Sequence, residues 1–282
     1  MKSGVGILLA AVATLALSSV SVAADKGGKG GDPVGATEGK VTLTYDSGKS
    51  VTCLTPQWAK GGKQMSAKGS MGKASISGKS LSTAGWKSGA GYRIGLDTNG
   101  DGIVNSQEYR NVFPGGSVVL TGKVDGREIS VRCVDVLVHY DEKKNEVSSM
   151  RWRMQGVYGW VGKIDSVKIR ILDENLSGKY EQNGTDAIQI GNGKLALPFR
   201  GRHRIGENFY KLKIAPDGSS LEYTKIPDPQ AGLVLTPFTG KYLAGLVLEG
   251  QNGAYDIQAC SQTGIPAGSY EVVYGAVGDL RA

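Results

Sequence analysis

The chain has 282 residues, with Lys and Arg exceeding Asp and Glu by 33 to 26, only two histidines and three cysteines, and forty-three glycines. That length supports a core without disulfides, and two histidines exclude a histidine-rich zinc site. The basic excess is mild, and the basic runs at 60–79 and 200–204 lack the interleaved aromatics of a base-stacking groove, so nucleic acid is not an expected partner.

Taken from the start, Met1-Lys-Ser-Gly4 carries one positive charge, Val5 to Leu17 is almost wholly apolar, and Ser21-Val-Ala23 ends in small residues. These are the three parts of a secretory signal peptide over 1–23, whose apolar run is too short to span a bilayer. Its removal takes Lys2 away and lowers the net charge from +7 to +6. No cysteine follows the cut, so no lipid anchor is indicated. No later segment reaches the roughly eighteen apolar residues of a spanning helix, so no transmembrane anchor is expected. Residues 24–39, rich in Gly, Lys and Asp, read as a flexible leader.

Strand signals begin at Lys40-Val-Thr-Leu-Thr-Tyr45, where apolar and polar residues alternate, and Asp46-Ser-Gly-Lys49 turns the chain into Ser50–Leu54. Residues 60–91 are dominated by Gly, Ser and Lys and read either as a surface excursion or as several weak strands. Val118–Val131 carries Asp125-Gly126 between two β-rich runs, a strong hairpin signal, and its second strand runs on to Tyr140. A second hairpin is expected at Tyr210–Tyr223, turning at Pro216-Asp-Gly218. Four short strands are expected at 233–236, 242–248, 255–259 and 269–274.

The most informative stretch is Asp97-Thr-Asn-Gly-Asp-Gly-Ile-Val-Asn-Ser-Gln-Glu108. Ca²⁺ takes six to eight oxygens, and a twelve-residue loop supplies them from positions 1, 3, 5, 7, 9 and 12. Those positions are Asp97, Asn99, Asp101, Ile103 through its carbonyl, Asn105 through water and Glu108. Gly102 stands at position 6, where the backbone turns sharply, and Val104 gives the apolar residue that pins the loop. The stretch resembles the EF-hand loop at every ligand position. Its flanks do not: Ser88–Gly95 holds three glycines and reads as loop and strand, while Gln107–Phe113 reads as about two helical turns stopped by Pro114. The resemblance therefore covers about twenty residues, as in extracellular dockerin-type loops that lack the entering helix, and implies Ca²⁺ but no opening of paired helices.

Asp173, Asn175, Ser177 and Gly178 repeat the 1-3-5-6 spacing, with Lys179 next to offer a carbonyl. Position 12 is Gly184, so either Glu181 or Asp186 must complete this second shell; an Asx-rich turn without metal is the other reading. Both loops follow a short apolar run, Tyr92–Leu96 and Val167–Leu172, as a duplicated strand-plus-loop unit would.

Catalytic chemistry is not apparent. Cys133 and His139 lie six residues apart on one expected strand, about 20 Å at ~3.3 Å per residue, beyond hydrogen-bond reach. Gly72–Ser80 has five residues between its glycines where a phosphate-binding loop has four. The cysteines fit either a Cys53–Cys133 bridge with Cys260 free or three buried thiols. Trp152, Tyr158 and Trp160 alternate, so they form either the core face of a strand or a platform for sugar rings.

The expected fold is all-β: two or three small antiparallel sandwich-like units with an inserted EF-hand-like calcium loop, divided as 40–147, 148–228 and 229–282. The expected function is that of a secreted, non-enzymatic protein in which Ca²⁺ orders a surface loop. A carbohydrate- or envelope-polymer-binding module with structural calcium is the alternative.

Overall fold

The computed structural model describes residues 38–48, 51, 63–68, 71–89, 91–144, 146–227, 243–251, 253–257, 265–266 and 269–277. The expected signal peptide, the leader as far as residue 37, Cys53, Cys260 and the expected strand at 233–236 lie outside them. Within them there is no helix, every strand pairing is antiparallel, and the chain is all-β. Among the described residues no helix is long and apolar enough to cross a membrane.

The alternating N-terminal segment forms β1 (Glu38–Thr42) and β2 (Thr44–Asp46). The Gly-, Ser- and Lys-rich stretch resolves into strands, β3 (Lys63–Lys68), β4 (Met71–Ile76) and β5 (Lys79–Ser88). β6 (Gly91–Leu96) and β7 (Tyr109–Val112) enclose the first Asp-rich loop, and β8 (Val118–Val124) and β9 (Arg127–Asp141) form the Asp125-Gly126 hairpin. Both residues of that turn have positive φ, 50° and 77°, as the hairpin-favouring turn requires.

Next come β10 (Glu146–Gly156), β11 (Gly159–Ile164), β12 (Val167–Leu172) and β13 (Asn183–Ile190). They are followed by β14 (Leu197–Arg200), β15 (Arg202–Ile205), β16 (Asn208–Ile214) and β17 (Ser220–Ile226). The turn between β16 and β17 lies at Pro216-Asp217-Gly218, closed by Gly218 N–H on the Ala215 carbonyl at 2.8 Å. The chain ends in β18 (Leu243–Gly250), β19 (Gly253–Asp256) and β20 (Tyr270–Val277).

One sheet has eight strands in the order β7-β6-β5-β4-β3-β10-β9-β8. Laid flat, it would hold β7 and β8 about 34 Å apart at ~4.8 Å per strand. Yet only the five residues Phe113–Ser117 join them, a reach of about 20 Å. The sheet therefore curls towards its own edges. Its inner face buries Ile94, Leu96, Leu120, Val131, Met150 and Trp152 in one core. The expected division at 147/148 falls inside β10, which pairs with β3 and β9 along its length.

The five-stranded sheet β14-β13-β12-β11-β2 packs against the four-stranded sheet β1-β17-β16-β15. Ile169, Ile171, Phe199, Tyr210, Leu212 and Leu221 fill the space between them. The three-stranded sheet β19-β18-β20 adds Val247 and Ala254 to this second core. Since β1 and β2 join these sheets, the first described residues belong with the middle of the chain rather than with the eight-stranded sheet.

Candidate metal centre

The first Asp-rich loop closes a β-hairpin. Gly95 pairs with Tyr109, and Leu96 N–H reaches the Glu108 carbonyl at 3.2 Å, so Glu108 lies opposite Leu96 and directly precedes β7, while Asp97 directly follows β6. The two helical turns expected at 107–113 do not form. Tyr109–Val112 instead pairs with β6, a ladder that offers more than two isolated helical turns, which are marginal in water.

Inside the loop each oxygen-bearing side chain folds back on the backbone. Asp97 accepts Gly100 N–H at 2.7 Å through Oδ1 and Gly102 N–H at 2.8 Å through Oδ2. Asn99 Oδ1 accepts Asp101 N–H, and Asp101 Oδ1 accepts Ile103 N–H, each at 2.8 Å. Glu108 Oε1 takes the N–H groups of Thr98 and Asn99 and the Thr98 hydroxyl; Glu108 Oε2 takes the backbone and side-chain N–H groups of Asn105. Gly100 and Gly102 supply the left-handed conformations, φ 77° and 85°, that let these turns follow one another.

The loop is also fixed from outside. Asp97 N–H donates to the Ser82 carbonyl at 2.8 Å. Val104 lies over Gly95, where an added Cβ would meet it at 2.1 Å, and Thr98 lies over Gly122, where a Cβ would meet it at 2.0 Å. Asp97 and Glu108 are consequently only 3% and 6% exposed, whereas Asn99, Asp101 and Ile103 face solvent. Among the described residues, no Lys or Arg forms an ion pair with Asp97, Asp101 or Glu108.

The second loop closes the β12–β13 hairpin in the same way. Leu172 pairs with Ala187, so Asp173 and Asp186 face each other just beyond that pair, Asp186 lying within β13 where its pairing with β14 is interrupted between Asn183 and Ala187. Asp173 accepts Ser177 N–H at 2.9 Å and Gly178 N–H at 2.8 Å, and Asn175 Oδ1 accepts Ser177 N–H at 2.8 Å. Lys179 N–H donates to Ser177 Oγ at 3.1 Å. The Tyr158 hydroxyl donates to Asp173 Oδ2 at 2.7 Å. Asp186 is fully buried; its Oδ2 accepts Glu181 N–H at 2.8 Å and its Oδ1 has no partner within normal hydrogen-bond geometry. Burial, and then the neighbouring Asp173 charge, push the Asp186 carboxyl up to about 8.

Glu174, also fully buried, accepts Gln155 Nε2–H at 3.0 Å, and burial holds its carboxyl well above the usual range. Neither Glu174 nor Thr98 stands out in the sequence, because buried polar positions inside a turn leave no periodic trace. Among the described residues no three His, Cys, Asp or Glu side chains converge as a metal cluster. Both loops instead mix carboxylate with Asn, Ser and carbonyl oxygens, the donor set that suits a hard cation.

Other candidates resolve differently. Trp152 on β10 and Tyr158 after it are buried in the first core, while Trp160 on β11 packs against the second and meets Tyr45 and Tyr180 edge-on. The alternation is that of a core, and these three aromatics do not make one exposed platform. Cys133 is a free, fully buried thiol, not one half of a bridge. It shares β9 with His139, which is exposed. In the basic run at 200–204, Arg200 pairs with Glu249 and His203 is buried.

No family model matches the chain, and no curated protein or solved structure matches it either.

Proposed function

We propose that the protein is a secreted, non-enzymatic calcium-binding protein in which Ca²⁺ seats in the β6–β7 loop and fixes that hairpin against the eight-stranded sheet. The observation that carries this reading is a charge imbalance. Three carboxylates lie in twelve residues, two of them buried, and no Lys or Arg among the described residues pairs with them. Buried charges of one sign repel one another, and a cation offsets that repulsion beyond what the N–H and O–H groups they accept supply. Asp97, Asn99, Asp101, the Ile103 carbonyl and Glu108 present oxygens at the spacing that Ca²⁺ takes, with Asn105 acting through water.

The ion's role in this account is structural. It neutralises carboxylates that repel one another when drawn together, and so holds the ends of β6 and β7 in register. Extracellular modules of this sort bind calcium with Kd of roughly 10⁻⁴–10⁻³ M, which suits the export that residues 1–23 imply. Burial of Trp152 and Tyr158 weakens the sugar-binding alternative, leaving no observation that favours it.

Trp86 offers a local test, since its ring meets Tyr109, the residue after Glu108, edge-on at 5.2 Å. Titrating Ca²⁺ should change tryptophan emission with a saturable midpoint, and Trp86→Phe should remove that change while calorimetric binding persists. A chain that shows no binding heat up to about 10 mM Ca²⁺, tenfold above the weak end of that Kd range, does not have this function.

A further inference from the structure

We propose that the β12–β13 hairpin holds a second Ca²⁺ site, formed by Asp173, Asn175, Ser177 and the Lys179 carbonyl and closed by Asp186. It shares no residue with the first loop, and stands or falls separately.

The hydrogen bonds of the two loops correspond position by position. In each, the sixth-position glycine N–H donates to Oδ2 of the first aspartate, at 2.8 Å in both. In each, the fifth-position N–H donates to the third-position asparagine at 2.8 Å, and the seventh-position N–H donates to the fifth-position side chain. The ninth-position N–H then donates to the closing carboxylate, which is Glu108 in one loop and Asp186 in the other. Asp186 lies two residues later in sequence than a twelfth position. It lies opposite Asp173, immediately before Ala187, the partner of Leu172, one register step from Glu108, which lies opposite Leu96.

This geometry also decides between Asp186 and Glu181. The Glu181 side chain accepts Asn183 Nδ2–H at 2.6 Å in an exposed pair, whereas Asp186 is fully buried in the loop. Asp186 Oδ1 has no partner within normal hydrogen-bond geometry, the Asn175 backbone N–H being the donor that also faces this carboxylate. A carboxylate oxygen in that condition is costly unless something outside the chain meets it. Asp173 and Asp186 supply two carboxyl groups whose ionised forms a divalent cation balances, and the Ser177 hydroxyl donates to the Lys179 carbonyl at 2.9 Å, which sets those two oxygens side by side. With Asn175 they make five protein oxygens, leaving water to complete a shell of six to eight.

The site stands at the junction of the two cores. The Leu176 carbonyl accepts Ser77 N–H from the β4–β5 turn at 2.8 Å, the Leu176 side chain enters the first core, and Tyr180 enters the second. An ion there ties the eight-stranded sheet to the sandwich.

Native mass spectrometry of the full chain in excess CaCl₂, on wild type, Asp186→Asn, Ser177→Ala and Glu108→Gln, separates this site from the first. Two bound ions in wild type, one in Asp186→Asn and one in Glu108→Gln are expected. Ser177→Ala, on a partly exposed residue outside the cores, should weaken one of the two ions by about tenfold. One ion in wild type, lost in Glu108→Gln but kept in Asp186→Asn and Ser177→Ala, overturns the second site alone. One ion lost in Asp186→Asn but kept in Glu108→Gln overturns the first alone, and no ion in wild type overturns both.

Discussion

Glu108 closes on Thr98: its Oε1 accepts the Thr98 backbone N–H at 2.8 Å and the Thr98 hydroxyl at 3.0 Å across the base of the β6–β7 hairpin. Thr98 in turn packs on Gly122 of β8. The proposed cation loop is thereby coupled through one side chain to the far edge of the eight-stranded sheet.

Replacing Glu108 by Gln keeps the volume but puts an amide where Oε2 meets the two N–H donors of Asn105. In EDTA the substitution should cost about 1 kcal/mol, the scale of a hydrogen bond turned into a donor clash. Calcium binding at this loop, followed by calorimetry, should weaken by at least about tenfold because the closing charge is gone.

Gly122→Ala drives a Cβ to within 2.0–2.5 Å of three Thr98 atoms. The expected cost is about 1–3 kcal/mol, as for other overpacked sites. Because Thr98 steadies Glu108, calcium affinity should fall too, and denaturant unfolding with and without Ca²⁺ reads both effects. Gly218 also lies against a side chain, Trp160, but remote from this loop. Gly218→Ala should destabilise the protein and leave the first site's affinity unchanged.

His203 gives a pH signature. It is fully buried, stacks on Phe199, accepts Arg200 N–H at 2.9 Å through Nε2, and burial lowers its pKa from 6.5 to about 3. The unfolded chain therefore binds a proton below about pH 6.5 that the native chain refuses. This stability is fully present above that pH and is lost as pH falls towards 3, at about 1.4 kcal/mol per pH unit. Urea midpoints from pH 7 to pH 4 should fall less steeply in His203→Phe than in wild type.

Cys133 lies in the first core, and burial pushes its thiol up to about 12. With Cys53 and Cys260 replaced by Ser, the folded protein should show no reaction with a thiol reagent at pH 8, and labelling should follow the unfolding rate.

Much of the fold is legible in the residues because the turns are chemically explicit. Asp125-Gly126 and Pro216-Asp217-Gly218 mark hairpins whose strands alternate, and both form where expected. The 60–91 stretch is ambiguous since Gly, Ser and Lys carry little strand preference of their own; pairing with β6 and β10 makes strands of it. The exit helix fails for the converse reason, as weak local preference at Gln107–Phe113 yields to the β6 ladder. For the candidate sites, ligand spacing is written in Asp97–Glu108 and half-written in Asp173–Asp186. The choice of Asp186 over Glu181 depends on a longer return path into β13, which spacing alone does not encode. Burial of Glu174 is invisible for the same reason.

The most direct test is the thermal midpoint of wild type and Asp97→Ala, each in EDTA and in about 10 mM CaCl₂. At a Kd of 10⁻⁴–10⁻³ M, one site adds roughly 1.4–2.7 kcal/mol, a rise of several degrees in a chain of this size. The account expects wild type to gain that rise and Asp97→Ala to lose the first loop's share of it. Equal calcium-dependent shifts in the two proteins, or no shift in wild type, would contradict it.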